Sequence, residues 1–368
     1  MGNNIYADHA ATTKLSTLSF VKMKEYLLEE YANISQPYSF SRISKKAVKE
    51  SREIIANCIG ANPDEIYFTS GGTESDNWVL SVFKNIGITT SCIEHHAILN
   101  PCEQLSLEGS TINYLQVDKK GKVKIEELSS LNIPQASLVS IMFANNEIGT
   151  IQDIKQISNI VHSKKCYFHT DAVQAIGHLD IDVKALGIDY MSASAHKFNG
   201  PKGIGFLYVK KDCPLTSFIL GGAQENGFRA GTENVASIVG MATALKENVD
   251  HMQERRIYLK SLENKLLSKL EEANISFLRN GIDQIPGNLS LSFKGFSGEM
   301  LLHRLDLMGI CVSTGSACDS RSTQISHVLK AIKLEKDIAT STIRISLGID
   351  NSEQDIQDIV DALQKIIL

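Results

Sequence analysis

The sequence predicts a large, mostly parallel α/β domain followed by a smaller α+β domain. Three observations carry this. From Glu65 to Val209, short continuous apolar runs alternate with helix-patterned segments. Glu233–Ala273 is almost uninterrupted helix-former, with Lys/Glu-rich faces over Glu254–Lys269. Beyond it the pattern changes, and Leu289, Leu291 and Phe293 alternate with Asn288, Ser290 and Ser292. Continuous apolar strands separated by helices belong to sheets covered on both faces, whereas strict alternation marks a half-buried strand. At roughly 150 residues per domain, 368 residues make two domains or three.

Taken in order, Ser16 opens a helical run to about Tyr31, with Leu18, Val21, Leu27 and Leu28 among its apolar positions. A second helix is expected over Ser44–Ile59, stopped by Gly60 and the Asn62-Pro63 pair. Glu65–Thr69 reads as a strand entering the turn Ser70-Gly71-Gly72-Thr73, which opens the next helix. Further strands are expected at Ile112–Val117, Leu138–Phe143, Cys166–Thr170, Tyr190–Ser194 and Ile204–Val209, with a helix over Asp153–Lys164. The long helical stretch then links the two domains. Thr342–Leu347 alternates with Arg344 and Ser346 on its polar face, and Ile356, Ile359, Val360 and Leu363 form one stripe of a final helix.

Composition narrows the function classes. Apolar residues at 43% and charged residues at 21% exclude a disordered or collagen-like chain. A net charge of −5 gives no electrostatic footprint for nucleic acid. No apolar run reaches the roughly 18 residues of a membrane span, and no secretory signal is visible, so a cytoplasmic enzyme is expected. The seven cysteines include no Cys-x-x-Cys pair, which argues against a structural metal or a disulfide framework. Most are expected to be small buried groups in a reducing compartment, with Cys311 as a buried example.

Several residues could carry chemistry. The Ser70–Thr73 turn lets backbone approach an anion at a helix N-terminus, or is turn geometry alone. It is neither a Walker loop nor a dinucleotide fingerprint, so a phosphate on another cofactor is the sharper option. Lys197 follows an apolar strand and is either a Schiff-base amine or a solvated loop lysine. Asp171, at the C-terminal edge of its strand, could pair with a protonated ring nitrogen or cap a turn. His95 and His96 follow another strand; read as strand residues they face opposite ways, so at most one reaches a given site. Cys318 sits in the small polar loop Val312–Ser320 and is either an accessible thiol or a buried one, and Arg344 needs an anion, a side-chain carboxylate or a substrate's.

In this order the motifs resemble the cysteine desulfurases of the NifS/IscS type, within the class V aminotransferase group of pyridoxal phosphate (PLP) enzymes. The nine matches are Tyr6–Thr13, Phe68–Ser75, Glu94-His95, Asn145–Gly149, His169–Gln174, Ser194–Lys197, Arg229–Asn234, the Cys318 loop and Ile343–Gly348. They span nearly the whole chain. The resemblance implies the PLP-dependent transferase fold of type I, with residues 16–262 as the large domain. Residues 1–15 and 263–368 would form the small domain that carries the catalytic cysteine loop.

It also implies roles. Lys197 would hold PLP as a Schiff base and move the substrate Cα proton. Asp171 would meet the ring nitrogen, Gln174 the ring hydroxyl, and His95 would stack on the ring and shuttle protons. Gly72, Thr73, Ser194 and His196 would bind the phosphate, with Thr232 reaching across a homodimer interface. Asn146 would position cofactor and substrate, Arg344 would take the substrate carboxylate, and Cys318 would accept sulfur from L-cysteine as a persulfide. No metal is implied. Ile34, Gln36 and Tyr38 depart from the Pro, Ser and His of the family stretch, Gly72 from a common Ala, and Asp76 from a common Asn. The protein that accepts the persulfide sulfur stays open, between iron–sulfur assembly, tRNA thiolation, DNA phosphorothioation and other carriers. Other readings are a selenocysteine lyase, another class V PLP enzyme, or a non-catalytic scaffold.

Overall fold

The computed structural model describes residues 4–315 and 325–368. Its strands are β1 (Ile5–Tyr6), β2 (Ile66–Thr69), β3 (Ile88–Ser91), β4 (Ile112–Leu115), β5 (Leu138–Ser140) and β6 (Tyr167–Asp171). They continue as β7 (Tyr190–Ser194), β8 (Gly205–Val209), β9 (Leu278–Asn280), β10 (Asn288–Ser292), β11 (Ile310–Cys311) and β12 (Thr342–Ser346). Seven form the central sheet in the order β2-β8-β7-β6-β5-β3-β4. Only β8 runs against its neighbours there; the pairs from β7 through β4 are parallel.

Both faces of this sheet are covered, as its apolar strands require. On β8, Phe206 and Tyr208 enter one core while Leu207 and Val209 enter another, following the two-residue alternation of a strand. The helix Gly72–Phe83 supplies Trp78, Val79, Leu80 and Phe83 to the second of these. Ile154–Ser163 and Val235–Asp250 serve the first.

A third core lies around the antiparallel sheet β12-β10-β9. The chain's beginning joins it: β1 pairs with β11, Asp8 bridges Ser346, and Ala7 is buried there. Thus the N-terminal motif is stitched beside Arg344, a neighbour 336 positions away in the chain.

Three local expectations change. Glu233–Ala273 is two helices, Val235–Asp250 and Met252–Glu272, broken at His251 (φ −107°, ψ 12°). The break redirects the chain, because the first helix packs on the large core and the second sends Leu259, Leu262, Leu266 and Leu270 into the small one. Strands β10 and β12 are buried on both faces rather than one. Much of their polar face is paired internally: Asn280 Nδ2 donates to Ser290 and Ser292 Oγ at 3.2 and 2.9 Å, and Ser292 Oγ lies 2.7 Å from Thr342 Oγ1, while Asn288 Oδ1 and Arg344 Nε are buried without a partner.

The helix Thr17–Leu28 is the third case. It starts at its expected cap, Ser16, whose side chain accepts from Ser19 N. Yet Leu18, Phe20, Val21, Leu27 and Leu28 are exposed, and the buried residue is Ser19, donating to Gly240 O at 2.9 Å. The cysteines also sit shallower than expected. Cys102 and Cys166 are buried, but Cys58, Cys92, Cys213 and Cys311 are half-buried, Cys311 because its two-residue strand lies at a sheet edge.

Candidate active site

The segments that follow β2, β3, β5, β6 and β7 converge at the C-terminal edge of the central sheet, where open α/β sheets bind ligands. They enclose a cavity of about 300 Å³. Its lining includes Gly72, Thr73, His95, Asn146, Asp171, Gln174, Ser194, His196, Lys197 and Arg344. These ten residues, six singled out by their own sequence context and four through the family resemblance, therefore share one space. Thr232 is exposed and outside this lining, and Cys318 lies outside the described residues.

At one end, Gly71 and Gly72 open the helix Gly72–Phe83. Gly71 has φ +153°, and a Cβ on Gly72 would stand 2.6 Å from Val173 Cγ2, so both positions need glycine geometry. The unpaired N–H groups of a helix's first turn attract an anion. His196 faces the same region with Nδ1 3.1 Å from Thr12 Oγ1. Burial, with Lys197 and Lys202 nearby, pushes its pKa down to about 4, leaving a neutral imidazole.

The floor is acidic. Asp171 ends β6, 6% exposed, with Oδ1 accepting from Val173 N at 2.9 Å. Burial raises its pKa, while His95, Val173 N–H and Lys197 oppose the rise. His95 is shifted down by burial, against the pull of Asp171. It does not sit on a strand: His95 is the N-cap of the helix His96–Leu107, its Nδ1 accepting from Ala97 N at 3.1 Å. Helix geometry sends His96 elsewhere, to a ring contact with His327 at 5.0 Å.

Lys197 is tethered rather than solvated. Its Nζ donates to Ala10 O at 2.6 Å and Ala11 O at 2.8 Å, and Gln174 Nε2 donates to Ala10 O at 2.9 Å. The N-terminal motif thus forms the wall opposite the sheet. Arg344 Nη1 donates to Asn146 O at 3.0 Å and Nη2 to Asp8 Oδ1 at 2.6 Å. Asp8 is a site residue that the sequence reading missed, although it lies within the quoted Tyr6–Thr13 motif. Asp76, buried in the same cavity, was marked in the sequence only as a departure from a common Asn and given no role.

These side chains fit pyridoxal phosphate. A glycine cradle at an open helix end suits its phosphate, a carboxyl at the floor suits its ring nitrogen, and a primary amine between them suits its aldehyde. Among the described residues no helix is long and apolar enough to cross a membrane.

Comparison with known proteins agrees. The aminotransferase class-V family profile matches residues 5–359. A cysteine desulfurase IscS from Clostridium botulinum is 44% identical, over 100% of this chain and 95% of its own length. One from Methanosarcina thermophila is 42% identical, over 99% and 92%. A solved NifS-like protein superposes with a TM-score of 0.93 at 36% identity, covering 99% of both chains. With its family profile matched nearly end to end, its type I fold shared with NifS-like proteins and its relatives similar over full length, this chain belongs to the aminotransferase class-V family, in the branch of the NifS/IscS-type cysteine desulfurases.

Proposed function

We propose that this chain, loaded with PLP, converts L-cysteine to L-alanine and passes the sulfur to Cys318 as a persulfide. The observation that carries the reading is the convergence of Lys197, Asp171, His95 and Arg344 on one cavity from four distant parts of the chain. A relative of 34% identity, SspA, has been solved in complex with cysteine, which supports the substrate.

Lys197 would hold the cofactor's aldehyde as a Schiff base, Asp171 its ring nitrogen and Gln174 its ring hydroxyl. Gly72, Thr73, Ser194 and His196 would hold its phosphate. When bound, PLP supplies an electron sink for the pair released as the substrate Cα loses its proton. Arg344 binds the substrate carboxylate in a two-point contact, with Asn146 beside it. Lys197 Nζ, freed by substrate, takes the Cα proton and delivers a proton back. His95, kept neutral by burial, accepts the proton that makes the Cys318 thiol a thiolate. The substrate C–S bond breaks, an S–S bond forms at Cys318, and the former sulfur-bearing carbon gains a proton to give alanine. Substrate sulfur ends as the outer atom of the Cys318 persulfide, so no external oxidant is consumed.

A second copy of the chain is the partner proposed. The exposed row Leu18, Phe20, Val21, Leu27 and Leu28 supports it, as does exposed Thr232, which a homodimer would bring to the other copy's phosphate end. The six described cysteines are all free, which supports a reducing, cytoplasmic setting.

The test is direct. Cofactor-loaded protein given L-cysteine and a reductant should release alanine and sulfide in equal amounts. Cys318→Ala should keep the bound cofactor's absorbance and make no persulfide, while Lys197→Ala should lose covalent attachment. Full sulfide release by Cys318→Ala would assign the nucleophile elsewhere. Absence of bound cofactor in the wild-type protein would end the reading altogether.

A further inference from the structure

Asp76 lies on the helix Gly72–Phe83, one turn beyond the glycines, and is 1% exposed. It lines the same cavity as Asp171, yet its Oδ1 is buried without a hydrogen-bond partner. Among the described residues, the one basic side chain within ion-pairing distance is His169, with Nε2 3.7 Å from Asp76 Oδ1. His169 cannot supply a countercharge. It is fully buried on β6, its Nδ1 2.8 Å from Ser140 Oγ and its Nε2 3.0 Å from Ser192 Oγ, and burial drives its pKa to about 3.

The groups facing Asp76 are thus Asp171 and His169 from β6, Ser192 from β7, and Glu94 from the segment after β3. Burial, Asp171 and Glu94 all disfavour its charge, and only a hydrogen bond from Ser192 favours it. Asp171 is placed differently. It accepts the Val173 N–H and feels His95 and Lys197. When two neighbouring buried carboxyls have unequal surroundings, the proton settles on the one with fewer donors and cations.

We propose that Asp76 remains a neutral carboxylic acid and acts as a positioning residue for Asp171, leaving Asp171 as the anion on this floor that meets the cofactor's protonated ring nitrogen. The proposal deepens the reading above and rests on PLP occupying this cavity. A second ionised carboxylate would compete for the ring's single positive charge and repel Asp171 from its place. A neutral acid fills the same volume without doing either.

The test compares wild type with Asp76→Asn, which keeps the shape and removes the titration. A buried acid held neutral binds a proton in the folded chain that the unfolded chain releases. The wild-type unfolding constant should therefore rise relative to the variant's by about tenfold per pH unit above roughly pH 4. A flat ratio overturns the proposal. Asp76→Asn should also hold PLP with the wild-type absorption band and an affinity within about threefold, whereas a loss of about tenfold or more would make Asp76 a charge-bearing contact and overturn it. If the variant does not fold, infrared spectra of the cofactor-loaded wild type with isotope-labelled aspartate decide. A label-sensitive carboxylic-acid carbonyl band at neutral pH supports the proposal, and its absence refutes it. Failure of the wild type to take up PLP would instead refute the cofactor reading, and the pH dependence of unfolding would still report on Asp76.

Discussion

The two walls of the cavity keep their charged groups in opposite ways. On the central-sheet side, Asp171 on β6, Asp76 on the helix Gly72–Phe83 and Glu94 after β3 are buried, and burial pushes all three carboxyls up. On β12, Arg344 is equally buried but neutralised in place by Asp8, with side-chain exposures of 6% and 19%. The sheet wall therefore holds its acids by burial, and a cation such as the protonated ring of the proposed cofactor would favour the charged form there. On the β12 wall the charge is paired within the chain, although Arg344 Nε is buried without a hydrogen-bond partner, so a substrate carboxylate of the kind proposed would share Arg344 with Asp8.

Breaking the self-neutralised wall should have the largest effect. Arg344→Gln leaves Asp8 beside the cavity without its partner, so stability should fall by about 3 kcal/mol. The KM for L-cysteine should rise on the order of 100-fold, with cofactor affinity less affected. Urea unfolding and steady-state kinetics separate the two. An unchanged KM would remove Arg344 from substrate binding.

Next comes the glycine cradle. Gly72→Ala forces a methyl against Val173 Cγ2, and overpacking of this kind costs about 1–3 kcal/mol. The loss should appear as weaker PLP binding. Adding Val173→Ala should recover most of it, and no recovery would mean that the glycine serves the phosphate rather than the packing.

The smallest effect sharpens the contrast in pH. Glu94 accepts from Ser91 Oγ and, through both carboxylate oxygens, from Met142 N, yet burial pushes its pKa up to about 8. An acid raised on folding stabilises in its protonated form, so its contribution is complete at low pH and lost as pH rises towards about 8. Glu94→Gln should flatten the fall in stability between mildly acidic pH and about pH 8, as measured by thermal unfolding at several pH values. An unchanged slope would assign the titration to other groups.

Much of the site was readable before the fold. Asp171 and Lys197 follow apolar strands and stand at their C-terminal ends, where period and position together point to a ligand. The glycines of Ser70–Thr73 announce a close backbone approach. His95 lines the cavity as expected but with a different local geometry, since a dipeptide after a strand can begin a helix as readily as continue the strand. Asp8 was not found, and Asp76 was marked only as a departure from a common Asn, without a role. Each matters because of a residue far away in the chain, Arg344 for one and Asp171 for the other, and no local pattern records such a meeting.

The small sheet shows the same limit. Alternation along β10 and β12 correctly names which residues share a face, but it cannot say what covers that face. Here the polar face is interior, closed by its own hydrogen bonds and by the N-terminal motif. The helix Thr17–Leu28 is the reverse, with its apolar residues turned outward.

By itself, then, the sequence determined the strand–helix rhythm, the change of architecture after the long helical stretch, and the amine, carboxyl and glycine turn that line one cavity, because these follow from local periodicity and from motifs held within a few residues. Tertiary structure alone decided which wall each charge belongs to, that Arg344 is held by Asp8, and that Asp76 is sealed beside Asp171. Burial and pairing depend on what packs from elsewhere in the chain, and a carboxyl's charge depends on its whole surroundings rather than on its neighbours in sequence.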